Sequence, residues 1–242
     1  MVPSAMCGTF CVRGCMAERV SVVWTPWAIR DVLAAAFYGR AHEVMAALDA
    51  GFPPGAVCDT DGETLLHNCF AANTAGMRDV MQRLLAAGCD PNARDNDGVT
   101  PVHVACNVGN LQNVQELVAI GGSLCALDND YDDPPLFYAL GGCGQAEERC
   151  RLLQWLADRP EVDWCHRNRE GLTAFDCAFS HQHYFAGESH ERCLPIVAAA
   201  MKAQRERAAR WSPLRAAFVG TVAVSAAATA PLVPPIAKMC AT

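Results

Sequence analysis

Residues 99–122 read VTPVHVACNVGNLQNVQELVAIGG. Thr100 can cap a helix, because its hydroxyl can accept from a first-turn N–H that has no partner within the helix. Pro101 follows at the first helical position, where a missing donor costs nothing. Ala105, Cys106 and Gly109 carry the segment to a turn. Beyond it Val114, Leu117 and Val118 recur at three- and four-residue spacing, which gives a second helix one buried face. Gly122 closes the unit, where a left-handed backbone suits glycine.

Versions of this line recur at intervals of 34 to 39 residues. One starts at Thr64 with Leu65, Leu66, His67 and Cys69, and its second helix is expected over 77–87, ending at Gly88. Another starts at Pro134 with Pro135, Leu136, Phe137 and Ala139, and a third at Thr173 with Ala174, Phe175, Asp176 and Ala178. Outward, Leu33–Gly39 followed by Val44–Gly51 reads as a copy without its Thr-Pro start, and Ser212–Ala217 as the start of a degenerate last copy. Ala35, Ala105, Ala139 and Ala178 share one repeat position, where a small residue lets two helices approach closely. Asp61-Gly62, Asp97-Gly98 and Glu170-Gly171 favour tight turns between units. Insertions interrupt three copies, at 71–76, at Gly141, Gly142 and Gly144, and at 181–189. A short repeated unit predicts an elongated stack rather than one globular core.

The Thr-Pro-Val-His start at Thr100 and the stretch Gly88, Cys89, Asp90, Pro91, Asn92, Ala93, Arg94, Asp95 resemble the ankyrin repeat and its connector. The resemblance implies an all-α repeat solenoid of helix-turn-helix units with short β-hairpin tips. Five units and a candidate degenerate C-terminal sixth are expected. Residues 1–27 are expected to be a partly disordered N-terminal arm and 28–210 the repeat domain. Residues 211–242 are expected to form a capping helix or degenerate repeat with a proline-containing apolar tail. The resemblance also implies that Thr100 bonds His103 across the turn, and Thr64 likewise His67, which makes both histidines structural. Phe137 and Asp176 depart from that pattern, so their copies should be less well tied down.

Charge is uneven: residues 1–40 carry +2, residues 41–199 carry −14 and residues 200–242 carry +5, for a net −7. An acidic repeat body repels phosphate backbones and attracts basic partners, which argues against nucleic acid. The fourteen cysteines include no CxxC pair. Those at Cys69, Cys106, Cys150 and Cys177 fall at helix positions and read as small buried thiols of a cytoplasmic or other reducing intracellular compartment. No signal peptide is evident. Cys7, Cys11 and Cys15 keep four-residue spacing, but Gly8 and Gly14 weaken a helix there. The residues nearest to a metal-ligand set are Cys177, His181, His183, His190 and Cys193. Sulfur and imidazole would suit zinc, yet their spacing matches no named zinc signature, and no metal or other cofactor is expected.

The chain has no dinucleotide fingerprint, phosphate loop or nucleophile elbow, so no enzyme is expected. Residues 216–237 carry no charge and would span a bilayer by length, which makes them a tail-anchor candidate. Their alanine content and Pro231, Pro234 and Pro235 favour a capping helix followed by an extended arm. The expected function is a protein-interaction module, an adaptor or scaffold that binds through its tips and concave face. An obligate subunit of a large assembly is the alternative from another class; a zinc-binding or membrane-anchored interaction protein is a further one. The expected contacts at the tips are Arg94, Asn96, Asp97, Asp128, Asn129, Asp130, Tyr131, Asp132, Arg167, Asn168 and Arg169. On the first helices they are Asn68, Asn107 and Tyr138. Tyrosines Tyr131 and Tyr138 are the best anchors, since tyrosine gives large contact area at low entropic cost.

Overall fold

Thr25 caps the first helix: its hydroxyl accepts the Ala28 N–H at 3.3 Å, and Pro26 takes the first position. The first unit therefore has a Thr-Pro start after all. It lies more than a turn upstream of the register set by Ala35, because α1 (Pro26–Phe37) is longer than its counterparts. The remaining helices are α2 (Ala41–Asp49), α3 (Leu65–Ala72), α4 (Met77–Ala86), α5 (Pro101–Val108), α6 (Leu111–Ala119), α7 (Pro135–Gly141), α8 (Ala146–Ala157), α9 (Ala174–Phe179) and α10 (Ser189–Val222). The computed structural model describes residues 24–58, 60–72, 74, 76–142, 145–179 and 189–222. The N-terminal arm up to residue 23, the tail from residue 223, and His181 and His183 lie outside them.

The helices pair in order, and the pairs stack. First helices pack on first helices, α1 on α3, α3 on α5, α5 on α7 and α7 on α9. Second helices do the same, α2 on α4, α6 on α8 and α8 on α10. Ala35, Ala105, Ala139 and Ala178 are all buried, which permits the close approach expected of them. Val80, Leu84, Val114 and Leu117 are buried on the second helices. The fifth unit completes itself with α10, which packs on both α8 and α9 and buries Cys193, Val197, Ala200 and Met201 at helical spacing. The expected domain boundary at 210/211 falls inside this helix.

Two expectations are corrected. Among the described residues the tips form no strands; the single bridge joins Val57 and Thr64. Each tip is instead closed by one or two backbone bonds, such as Asp95 N–H to Val99 O at 3.0 Å or Asp128 N–H to Asp133 O at 3.1 Å. The second correction concerns the glycine that ends α6. It is Gly121, at φ +100°, not Gly122. Its N–H bonds Val118 O at 3.1 Å and the Gly122 N–H bonds Leu117 O at 2.8 Å. That bond pair ends a helix by placing the left-handed residue one position before the second donor. Gly51 and Gly88 hold the left-handed position of their own units, with the same bonds.

Candidate functional site

The units are tied through their tips. His67 Nδ1 accepts the Thr64 N–H at 3.1 Å, and Nε2 lies 3.1 Å from Val99 O in the next unit. His103 repeats this, with Thr100 N–H at 3.0 Å and Asp133 O at 3.2 Å. Because Nδ1 accepts, the ring proton sits on Nε2, which donates to the next unit. Phe137 and Asp176 stand where these histidines would, and their units are held in other ways. Asp176 Oδ2 accepts both the Thr173 N–H and its hydroxyl, at 2.8 and 2.6 Å. Phe137 packs edge-on against His166 at 6.0 Å, and His166 Nε2 lies 2.7 Å from Asp132 O. The tip at residues 128–133 is therefore tied from the unit after it.

Three of the expected contact residues are interior. Asn68 is buried and donates to Glu63 Oε2 at 3.0 Å. Asp128 is buried; its Oδ1 accepts the N–H groups of Tyr131 and Asp133 at 3.0 and 3.1 Å. Asn168 is buried and holds Glu170 and Leu172 in the same way. These side chains shape the tips and present almost no surface. Tyr138 is half-buried: its hydroxyl donates to Asp128 Oδ2 at 2.9 Å and its ring meets His103 edge-on at 4.9 Å. Burial and the Asp128 carboxylate push its phenol well above the usual tyrosine range.

Others at the surface are already bonded, all but Arg167 between tips. Asn96 donates to Thr60 O at 2.9 Å and Asn129 to Asn96 O at 3.1 Å. Arg94 reaches Leu127 O at 2.7 Å and Asn129 Oδ1 at 3.0 Å. Arg167 donates to Gly171 O at 2.7 Å. Arg169 bonds the Asn129 and Asp130 carbonyls at 2.8 and 2.7 Å and pairs with Asp132 at 3.0 Å. Asp132 adopts φ +57°, a conformation an aspartate tolerates better than most residues. Backbone bonds run beside these, from Asn96 N–H to Asp61 O, from Asn129 N–H to Asp97 O and from Arg169 N–H to Tyr131 O. The tips thus form one bonded row. Asp97, Asp130 and Tyr131 stand at its exposed edge, and Asn107 is exposed on α5.

The described residues hold no cluster of three metal-ligating side chains. Cys177 and Cys193 are both buried, and Cys193 faces Cys150 at 4.0 Å. Burial pushes both thiols up to about 12, so they are held protonated. Of the tail-anchor candidate 216–237, residues 223–237 lie outside the described residues; no described helix is long and apolar enough to cross a membrane.

One feature escaped the sequence reading. A groove of about 270 Å³ opens between α1 and the first tip, lined by Leu33, Ala34, Phe37 and Tyr38 on one side and Asp61 and Glu63 on the other. Phe37 and Tyr38 are 53% and 71% exposed, and Trp27 is 75% exposed. Aromatics at 27, 37 and 38 were a usable signal, since α5 carries none over Pro101–Val108.

Residues 68–158 match the family model of ankyrin repeats in three copies. An ankyrin repeat-containing protein of Schizosaccharomyces pombe is 31% identical over 111 residues, covering 46% of this chain and 49% of that protein. Mouse Rabankyrin-5 is 27% identical over 139 residues, covering 52% of this chain and 11% of its own length. Rat NF-kappa-B inhibitor alpha is 44% identical over 55 residues, covering 23% of this chain and 17% of its own. The chain thus spans about half the length of the first relative and far less of the others.

Proposed function

We propose that this ankyrin-repeat protein is an interaction module, an adaptor or scaffold that binds a protein partner along its tips and concave face. Tyr131 carries the reading. Its side chain is exposed while its backbone is fixed on both sides, by Asp128 Oδ1 at 3.0 Å and by the Arg169 N–H at 2.6 Å. An exposed aromatic on a fixed backbone loses little entropy when a partner covers it. Asp97 and Asp130 put negative charge on the same edge, which supports a partner with a basic surface. The relative NF-kappa-B inhibitor alpha is named as an inhibitor of NF-kappa-B, in line with this reading. Residues 28–210 are taken as the interaction domain. Cysteines used as small core residues, Cys69, Cys106, Cys177 and Cys193, fit a cytoplasmic or other reducing compartment.

Affinity capture with the wild-type chain and with a Tyr131→Ser, Asp130→Ser double variant tests the proposal. The partner recovered by the wild type should be lost by the variant, while the unfolding midpoint stays the same. Equal recovery by both proteins removes the tip edge as the binding surface.

A further inference from the structure

We propose that the groove between α1 and the first tip receives an arginine or lysine side chain of the partner segment that binds the stack. The inference rests on the interaction reading and assigns one subsite within it. Two kinds of wall meet in this groove. Leu33, Ala34 and Phe37 give it an apolar side, and Asp61 and Glu63 give it an acidic side that outnumbers the one lining cation, Arg30. Among the described residues neither carboxylate has an ion-pair partner. Glu63 accepts the Asn68 amide, and the Asp61 carboxylate has the Cys58 thiol at 4.0 Å.

The chemistry of the two walls selects the occupant. A partner carboxylate would be repelled by both acids. A purely apolar side chain would strip water from two carboxylates and return no bond. A long basic side chain satisfies both walls, with its methylene stem on the apolar side and its charged head at the acids. The rings of Phe37 and Tyr38, edge to face at 5.5 Å, add a surface a cation favours. The chain makes such contacts within itself: the Arg40 guanidinium lies 5.7 Å from the Tyr38 ring centre, and that of Arg30, a lining residue of the groove, lies 5.6 Å from the Trp27 ring centre. The −14 charge of residues 41–199 draws a basic segment toward the stack as a whole.

The test uses the full chain and a fluorescein-labelled peptide, Gly-Ser-Leu-Arg-Leu-Arg-Leu-Ser-Gly. Its twin carries citrulline, neutral and nearly isosteric, at both arginine positions. Fluorescence anisotropy should give the arginine peptide about a tenfold tighter Kd, the scale of one charge-assisted hydrogen-bonded contact. The Asp61→Asn, Glu63→Gln double variant should erase that preference with an unchanged unfolding midpoint. Phe37→Ala, at an exposed site, should weaken both peptides. Equal affinity of the two peptides for the wild type, no binding of either, or an undiminished preference in the double variant overturns the proposal. Capture of a partner that depends on Tyr131, with no arginine preference here, removes this subsite and leaves the interaction reading standing. Loss of both results removes both.

Discussion

His103 Nε2 lies 3.2 Å from Asp133 O, while its Nδ1 accepts the Thr100 N–H at 3.0 Å. One imidazole closes the turn of its own unit and fastens the next unit to it. The side chain is fully buried, so removing it leaves the buried Thr100 N–H without its partner, takes one of two donors from the Asp133 carbonyl and opens a void.

His103→Ala is therefore expected to lower unfolding free energy by about 3 kcal/mol, measured by urea denaturation. A loss under about 1 kcal/mol would show that the units are held by apolar packing alone.

Acid should weaken the stack through the same residues. Burial holds His103 down to about 4 and also lowers His67 from its ordinary value. In the unfolded chain a histidine takes up its proton near pH 6.5. Below that pH the unfolded state binds more protons than the folded one, so stability falls as pH drops from about 6.5 toward 4. The His103 contribution is on the order of 3 kcal/mol across that window. Asp176, held low by its bonds from Thr173, acts in the same direction as pH falls through its own range. Asp95, whose carboxyl is raised chiefly by burial, acts in the opposite one. The urea midpoint should fall between pH 7 and pH 4.5, and His103→Gln should flatten the slope. A flat wild-type profile would contradict the assignment.

Arg169 bonds two carbonyls of the preceding tip and pairs with Asp132. The pair is exposed, so Arg169→Ala should cost only about 1 kcal/mol globally. Its local effect should be larger. Amide exchange over residues 128–133 should speed up while exchange in α5 stays unchanged. Uniform exchange in both regions would argue that the tip is fixed by its backbone bonds.

Gly142 ends α7 at an ordinary φ of −64°, so its requirement is one of space. A Cβ there would run into the Asn107 carbonyl of α5. Gly142→Ala should destabilise by about 2 kcal/mol or more, since backbone on both sides must shift. Gly55→Ala, where nothing lies within 4 Å, is the control and should change little. Equal melting temperatures for the two variants would show that α5 and α7 can separate without penalty.

The sequence alone determined the repeat and, from the second unit on, where each unit starts. Thr100, Pro101, His103, Ala105 and Leu117 act through local geometry and helical spacing, and both are written in the order of the residues. The family resemblance also marked His67 and His103 as structural, and each bonds its own Thr64 or Thr100 as that resemblance implies. Only the tertiary structure decided which tip residues face water. Asp128 and Asp130 are two positions apart in one acidic run, yet one is buried under Tyr138 and the other is exposed. Stacking sets that difference: a tip is covered or open according to the units before and after it. The groove beside Phe37 and Asp61 has the same origin, since its two walls are 24 positions apart and meet only when α1 packs on α3.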